Sequence, residues 1–166
     1  MNHYTIEAML IADWEQVRQI YREGIETGQA TFETEAPDFE RWHMTHLPFA
    51  RLVARDEHGV KGWGALSPVS SRAAYAGVAE TSVYVGSAHR GEGIGRRLLE
   101  ALVNESELNG IWTLQAAVFP ENVASITLHK RCGFREVGRR ERISKLNGVW
   151  RDTVSLERRS KLVGLE

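Results

Sequence analysis

The sequence predicts a mixed α/β fold, in which one sheet carries helices on both of its faces. Segments with helical periodicity alternate with short segments rich in β-branched and aromatic residues along the chain of 166 residues. At 81–85 one such strand runs into a glycine-rich turn, and a further helical segment follows directly. No repeat, linker or low-complexity segment interrupts this pattern. One domain over residues 1–166 is therefore expected.

The first third of the chain predicts one strand and two helices. Tyr4, Ile6 and Ala8 alternate with polar neighbours, which is typical of a short strand. Asp13 has the character of an N-cap, and apolar residues then follow at helical spacing to near Gly28. Residues 27–35 show neither helical nor strand periodicity and are predicted to form a loop. Binding groups tend to lie on loops. A second helix is expected over 37–47, closed by Pro48.

The middle of the chain predicts three strands. Residues 52–55 and 62–66 are joined by a turn-rich segment at 56–59, which is typical of a hairpin. A polar connection over 69–75 leads into the long strand that ends at Val85.

The last third predicts two helices and three strands. A helix over 93–109 stops at Asn109 and Gly110, and 111–118 is expected to be a buried strand. A helix over 122–132 ends at Gly133. Strands at 134–142 and 149–156 are joined by a tight turn over 145–148. The predicted order is β-α-α-β-β-β-α-β-α-β-β.

The composition is that of a soluble globular enzyme or binding domain. The formal net charge of −1 gives no reason to expect a nucleic-acid partner or an anionic membrane surface. The single cysteine, Cys132, excludes an internal disulfide framework, and His43 and His46 lack the further ligands that a metal site needs. The sequence shows no signal-peptide pattern and no apolar run long enough to span a bilayer. A cytoplasmic protein without metal is expected.

The turn Arg90-Gly-Glu-Gly-Ile-Gly95 is the strongest binding motif in the chain. Its glycines allow a tight turn and close approach of a ligand to the backbone, and the first N–H groups of the following helix favour an anion. The glycine spacing differs from that of a dinucleotide fold, and the chain contains no Walker loop. A pyrophosphate cradle of another kind is indicated, with an ordinary strand-to-helix turn as the alternative.

Arg-x-x-Gly-x-Gly after a Val-Tyr-Val strand resembles the acetyl-CoA site of the GNAT N-acetyltransferase superfamily, and the predicted element order is similar to the fold of that superfamily. The resemblance implies a mostly antiparallel sheet, acetyl-CoA as co-substrate, and a strand whose backbone at 83–85 holds the pantetheine arm. A backbone N–H there would polarise the thioester carbonyl. Arg96 and Arg97 are either charges at the pyrophosphate rim or a solvated pair.

A second cofactor segment runs from Asn122 through Ser125 and His129 to Gly133 and Phe134. In the resembling enzymes the asparagine contacts pantetheine, and it also suits a helix N-cap. His129 stands where many members carry a tyrosine acid. The cofactor-binding residues that the resemblance implies are Val83, Tyr84, Val85, Arg90, Gly91, Glu92, Gly93, Ile94, Gly95, Arg96, Asn122 and Ser125.

The sequence is most similar to the phosphinothricin/methionine sulfoximine acetyltransferase branch. The marks are Arg72 and Tyr75 before the 80–85 strand, His129 before Gly133-Phe134, the loop with Thr31 and Phe32, and Gly148-Val-Trp150-Arg-Asp152. The resemblance implies a small amine substrate, with Phe32, Arg72, Tyr75 and Glu80 binding it, and a homodimer. Arg72 is expected to pair with the substrate carboxylate.

Acetyl transfer requires a neutral amine, so a carboxylate or imidazole must accept a proton. Glu80 is predicted as that base, or alternatively as an anchor for the ammonium, and His129 as a second group assisting proton transfer. Cys132 is left out of the mechanism, and Trp150 lies either beneath the site or at a subunit contact. A peptide N-terminus, a polyamine or an aminoglycoside stays open as substrate, as does a non-catalytic acyl-CoA-binding regulatory module.

Overall fold

The computed structural model describes residues 3–166, which form one seven-stranded sheet and four α-helices. The predicted order of elements is confirmed. The strands are β1 Thr5–Ala8, β2 Leu52–Asp56, β3 Gly59–Pro68, β4 Val78–Val85, β5 Thr113–Val118, β6 Arg135–Leu146 and β7 Val149–Arg159. The helices are α1 Trp14–Glu26, α2 Phe39–Thr45, α3 Ile94–Leu108 and α4 Val123–Arg131.

The sheet has the strand order β1-β2-β3-β4-β5-β7-β6. Every neighbouring pair is antiparallel except β4 and β5, which run parallel. A mostly antiparallel mixed sheet is therefore confirmed. The parallel pair is joined by α3, the crossover helix that such a connection requires.

The strands β4 and β5 separate soon after they meet. Their register runs only from Val78 opposite Thr113 to Glu80 opposite Gln115. On its other edge β4 stays paired with β3 as far as Val85. Residues 81–85 therefore border a cleft between the two central strands.

Each face of the sheet carries its own hydrophobic core. One core gathers α3 against the sheet around Leu98, Leu102 and Leu114, with Val83 and Val85 packed onto it. The other gathers α1 and α2 around Val17, Trp42 and Trp63, with Tyr84 packed onto it. Because successive side chains of a strand point to opposite faces, β4 contributes to both cores.

Two helix ends differ from the prediction. Asp13 occupies the N-cap position of α1, but its carboxylate accepts from the Leu10 N–H at 2.8 Å and from Arg55 at 2.7 Å. Helix α2 ends at Thr45 and not near Leu47. The Arg51 guanidinium explains this end, since it donates to the carbonyls of His43, His46 and Leu47.

The strand β6 runs further than expected, to Leu146, because its register with β7 shifts twice and so accommodates extra residues. One shift lies between Arg140 and Ser144, where Arg142 has a φ of 45°. Such bulges cannot be read from residue alternation. None of the helices within residues 3–166 combines the length and hydrophobicity that crossing a bilayer requires.

Candidate active site

A cavity of about 1150 Å³ lies in the cleft beside β4. Its walls come from the α1–α2 loop, β4, the glycine turn, the end of β5 and α4. The cavity brings together most of the residues that the sequence predicted. These are Phe32, Glu80, Val83, Tyr84, Val85, Arg90, Gly91, Gly93, Ile94, Gly95, Arg96, Asn122, Ser125 and His129. Glu92 belongs to the same turn, where its carboxylate lies 3.6 Å from His89 Nδ1.

The glycine turn opens the start of α3 to a ligand. Gly91 and Gly93 have φ values of 81° and 80°, in the left-handed region that favours glycine. A Cβ added at either position would meet nothing within 4 Å, so the space beside the backbone is open. The first helical bond here runs from the Arg97 N–H to the Gly93 carbonyl at 3.2 Å. The preceding N–H groups at 94–96 are thus available to an anion.

The backbone of β4 presents alternate residues to the cleft. The Gly86 N–H donates to the Lys61 carbonyl at 2.8 Å, so it points toward β3. Because the direction alternates along a strand, the N–H and C=O groups of Val83 and Val85 point the other way, into the cleft. By the same alternation the backbone of Tyr84 points toward β3, although Tyr84 is among the residues that line the cavity.

Glu80 lies where the main cavity meets a second cavity of about 720 Å³ and lines both of them. Tyr75, Gln115 and Arg140 are among the other residues that line the second cavity. Part of the Glu80 side chain reaches solvent, but the surrounding protein desolvates the carboxyl group and raises its pKa. The positive charge of Arg140 acts in the opposite direction and limits that rise.

His129 is buried on α4 beside the point where β4 and β5 separate. Its Nδ1 lies 2.7 Å from the Ser125 carbonyl, and its Nε2 lies 3.3 Å from the Thr81 hydroxyl. The tautomer that satisfies both contacts donates from Nδ1–H and accepts at Nε2. Burial lowers the pKa of the ring, against the opposing effect of the Ser125 carbonyl, so the imidazole is neutral near neutral pH.

The match to known families decides the identity of this cleft. Residues 14–134 match the model of the Acetyltransferase (GNAT) family. The chain belongs to the GNAT acetyltransferase family. It is an acetyl-CoA-dependent N-acetyltransferase of the GNAT type, and the fold and co-substrate expected from the sequence are confirmed.

Curated relatives cover most of this GNAT chain. The L-methionine sulfoximine/L-methionine sulfone acetyltransferase of Pseudomonas aeruginosa is 29% identical, over 89% of each chain. The phosphinothricin N-acetyltransferase of Alcaligenes faecalis is 31% identical, over 93% of this chain and 81% of its own. A crystal structure of a GNAT superfamily phosphinothricin acetyltransferase from Sinorhizobium meliloti with acetyl-CoA has a TM-score of 0.88 at 28% identity. It covers 98% of this chain and 91% of that one.

The open turn at 91–93 and the helical N–H groups after it fit a pyrophosphate. Arg96 is held by Glu100 at 2.8 Å, and the Arg97 guanidinium lies 4.8 Å from the Tyr4 ring centroid. Between these groups and Glu80, the open edge of β4 offers backbone donors and acceptors to the pantetheine arm. Asn122 caps α4 by accepting from the Ser125 N–H at 3.1 Å, as its position before the helix predicted.

The predicted substrate residues Arg72 and Tyr75 lie on the exposed connection before β4. The Arg72 guanidinium stacks 5.5 Å from the Tyr75 ring centroid, and Tyr75 lines the second cavity together with Glu80. Arg72 itself is not among the residues that line the two cavities. The carboxylate-binding role of Arg72 stays a prediction.

Sequence reasoning missed several groups that border the site. Tyr21 belongs to the helical spacing of α1, which gave no sign of a site, but its ring packs 4.8 Å from that of Tyr84 and both line the main cavity. Burial raises the pKa of both phenols, and the charge of Glu33 contributes to this. Arg140 lies on a distant strand, and no local pattern indicated that it would approach Glu80.

Three further sequence predictions concern Cys132, Trp150 and the absence of a metal site. Burial raises the pKa of the half-buried Cys132 thiol, which disfavours the thiolate and agrees with leaving it out of the mechanism. Trp150 is exposed on β7, with Lys145 Nζ 4.8 Å above its ring. Among residues 3–166 the structure contains no cluster of three His, Cys, Asp or Glu side chains able to hold a metal.

Proposed function

We propose that the protein transfers the acetyl group of acetyl-CoA to the α-amine of a small amino acid analogue. The substrates envisaged are of the methionine sulfoximine, methionine sulfone or phosphinothricin type. The observation that carries the proposal is the position of Glu80, between the acetyl-CoA cleft and a second polar cavity lined by Arg140. A carboxylate and a guanidinium bordering one space complement the two charges of a zwitterionic amino acid.

In the proposed reaction the amine attacks the thioester directly within a ternary complex. Glu80 takes the proton from the substrate ammonium, and its raised pKa makes it a better base than an ordinary carboxylate. The amine nitrogen then bonds to the carbonyl carbon, while an N–H of Val83 or Val85 stabilises the developing oxyanion. The carbon–sulfur bond breaks, and the leaving thiolate takes up the proton that the nitrogen loses as it becomes an amide.

His129 is proposed to assist the movement of protons. Its neutral ring has an Nε2 acceptor facing the Thr81 hydroxyl, next in sequence to Glu80. A neutral imidazole whose Nε2 is an acceptor suits receiving and passing on a proton more than supplying one in the resting state. The alternative role of Glu80, as an anchor for the ammonium, uses the same position and predicts a rise in the KM for the amine.

The test of substrate class is thiol release from acetyl-CoA with a panel of amines: methionine sulfoximine, methionine sulfone, phosphinothricin, spermidine, an aminoglycoside and a short peptide. Spermidine belongs in the panel because Glu33 and Glu35 also line the main cavity. Turnover confined to the amino acid analogues supports the proposal. Turnover only with the others overturns the substrate class, and tight acetyl-CoA binding without turnover indicates a regulatory module. Homodimerisation and a cytoplasmic location remain predictions, and light scattering of the purified protein tests the first.

A further inference from the structure

The α1–α2 loop, residues 27–37, forms one wall of the main cavity without regular secondary structure of its own. The loop residues that line the cavity are Ala30, Thr31, Phe32, Glu33, Glu35, Ala36 and Pro37. The hydroxyls of Thr27 and Thr31 accept from N–H groups two residues further on, so these bonds shape short turns within the loop. The Thr31 hydroxyl also interacts with the phenols of Tyr21 and Tyr84, which joins the middle of the loop to α1 and β4. The position of this wall therefore depends on contacts from other elements.

Arg151, on β7, contributes two hydrogen bonds to the start of the loop. It donates from Nη1 to the Gly28 carbonyl at 2.9 Å and from Nη2 to Gln29 Oε1 at 2.9 Å. These two bonds join positions 123 and 122 residues apart in the sequence. A guanidinium can make both at once because its donors are fixed in one plane.

Arg151 is itself held by contacts with residues that follow β5 in the chain. Its guanidinium lies 4.0 Å from the Phe119 ring centroid, and its Nη2 also pairs with Glu121 at 3.3 Å. Only 15% of the Arg151 side chain is exposed. The Arg151 side chain therefore connects the segment after β5 to the loop, and it is not a solvated surface arginine.

Two neighbouring contacts join the same segments. The Phe32 ring packs edge-on against Phe119, with centroids 4.9 Å apart. Asn122 Nδ2 donates to the Gln29 carbonyl at 3.1 Å, while its Oδ1 caps α4. The Asn122 side chain thus caps α4 and binds the α1–α2 loop at the same time.

We propose that Arg151 is a positioning residue that holds the α1–α2 loop against the end of β5. It thereby fixes the position of the cavity wall that this loop forms. Arg151 does not line the cavity and acts through Gly28, Gln29 and Phe119. Its loss frees the wall that surrounds the amine and leaves the pyrophosphate turn unchanged. The kinetic part of this inference rests on the proposed function; the loop-anchoring part does not.

The experiment compares Arg151→Met, which keeps the aliphatic stem, with Arg151→Lys. The matched control is Arg139→Met, since Arg139 is an exposed arginine of the same hairpin that pairs with Asp152. Loop opening is measured without substrate, as the rate at which a glutamate-specific protease cleaves after the exposed Glu33 and Glu35. Amine KM and kcat are measured with methionine sulfone, and the acetyl-CoA Kd by calorimetry.

For Arg151→Met we expect faster cleavage at these two sites and an amine KM higher by about tenfold, the equivalent of one charged hydrogen bond. We expect kcat and the acetyl-CoA Kd to stay within about twofold of wild type, since the step measured by kcat and the cofactor turn are untouched. Arg151→Lys keeps the positive charge but not the pair of planar guanidinium donors. Its cleavage rate and amine KM should fall between those of wild type and of Arg151→Met. Arg139→Met should match wild type throughout.

Unchanged cleavage in Arg151→Met overturns the proposal, whatever the activity. So does a loss of kcat and acetyl-CoA affinity together with amine affinity, which indicates general destabilisation. If Arg151→Met does not fold, Gln29→Ala tests the loop end of the contact and should still speed cleavage; equal cleavage there also overturns the idea. Absence of turnover with methionine sulfone in wild type counts against the proposed function alone, because the cleavage assay contains no substrate.

Discussion

Glu80 and Gln115 are the last pair of residues in register between the parallel strands β4 and β5. Beyond them the strands diverge, and the main cavity begins. Glu80 therefore stands where the backbone of β4 changes from pairing with a strand to facing the cavity. This position explains why one carboxylate borders both cavities.

Glu80→Gln should lower kcat by about two to four orders of magnitude, the usual loss when a general base is removed. The acetyl-CoA Kd should change little, because the pyrophosphate turn and the outer part of β4 are untouched. Thiol-release kinetics and calorimetry measure the two quantities. Glu136→Gln, at an exposed carboxylate that pairs with Lys130, is the control. A Glu80→Gln enzyme with normal kcat and a raised amine KM would identify Glu80 as an anchor.

Arg140→Gln should move the acidic limb of the pH profile of kcat/KM to higher pH. Burial raises the pKa of Glu80, and the charge of Arg140 opposes that rise, so removing the charge raises the pKa further. The base form then appears only at higher pH, and activity at low pH falls. Arg139→Gln is the control, and a shift toward lower pH in Arg140→Gln would contradict this account.

Arg72→Ala should raise the KM for amino acid substrates by about tenfold if its guanidinium pairs with their carboxylate. The KM for acetyl-CoA should stay nearly unchanged. Initial rates with methionine sulfone and with the corresponding amine that lacks the carboxylate measure the effect. Equal weakening of both substrates would show that Arg72 acts through its stacking on Tyr75 and not through a carboxylate.

His129 should make the protein less stable toward acid. Its pKa in the folded state lies below the ordinary value of 6.5, because burial favours the neutral ring. The unfolded state therefore binds more protons below pH 6.5, and the contribution of His129 to stability is lost as pH falls from there toward the folded-state pKa. The maximum slope is about 1.4 kcal/mol per pH unit. Urea unfolding at pH 7.5 and 5.5 should show a smaller acid loss in His129→Gln, and an equal loss would contradict the assignment.

Gly24→Ala should destabilise the protein by about 1–3 kcal/mol, as overpacking of a core does. A Cβ at this position of α1 would lie 2.6 Å from Tyr84 Cδ1, so the Tyr84 ring must move. Gly138→Ala is the control, because a Cβ there meets nothing within 4 Å. Urea unfolding measures both, and a Gly24→Ala protein as stable as wild type would show that the Tyr84 ring moves without cost.

The order of elements and the cofactor turn could be predicted because the signals are local. Apolar residues at helical spacing specify α1 and α3, and the glycines at 91 and 93 meet the φ requirement of the turn within a few residues. Asn122 was predicted as a cap for the same reason, since a cap and its N–H are neighbours in sequence. The role of Asp13 was only half predictable, because Arg55 on a distant strand competes for its carboxylate.

The sequence by itself thus determined the fold class, the sites of turns and caps, and, through its resemblance to one family, the co-substrate. The tertiary structure alone decided which side chains meet around and behind the cavity. Thr81 and His129 are 48 residues apart, and Arg151 lies 122 residues from Gln29. Residues so far apart in the sequence come into contact only when strand order, register and bulges bring their segments together. Such features follow from the packing of the whole sheet, and no local pattern encodes them.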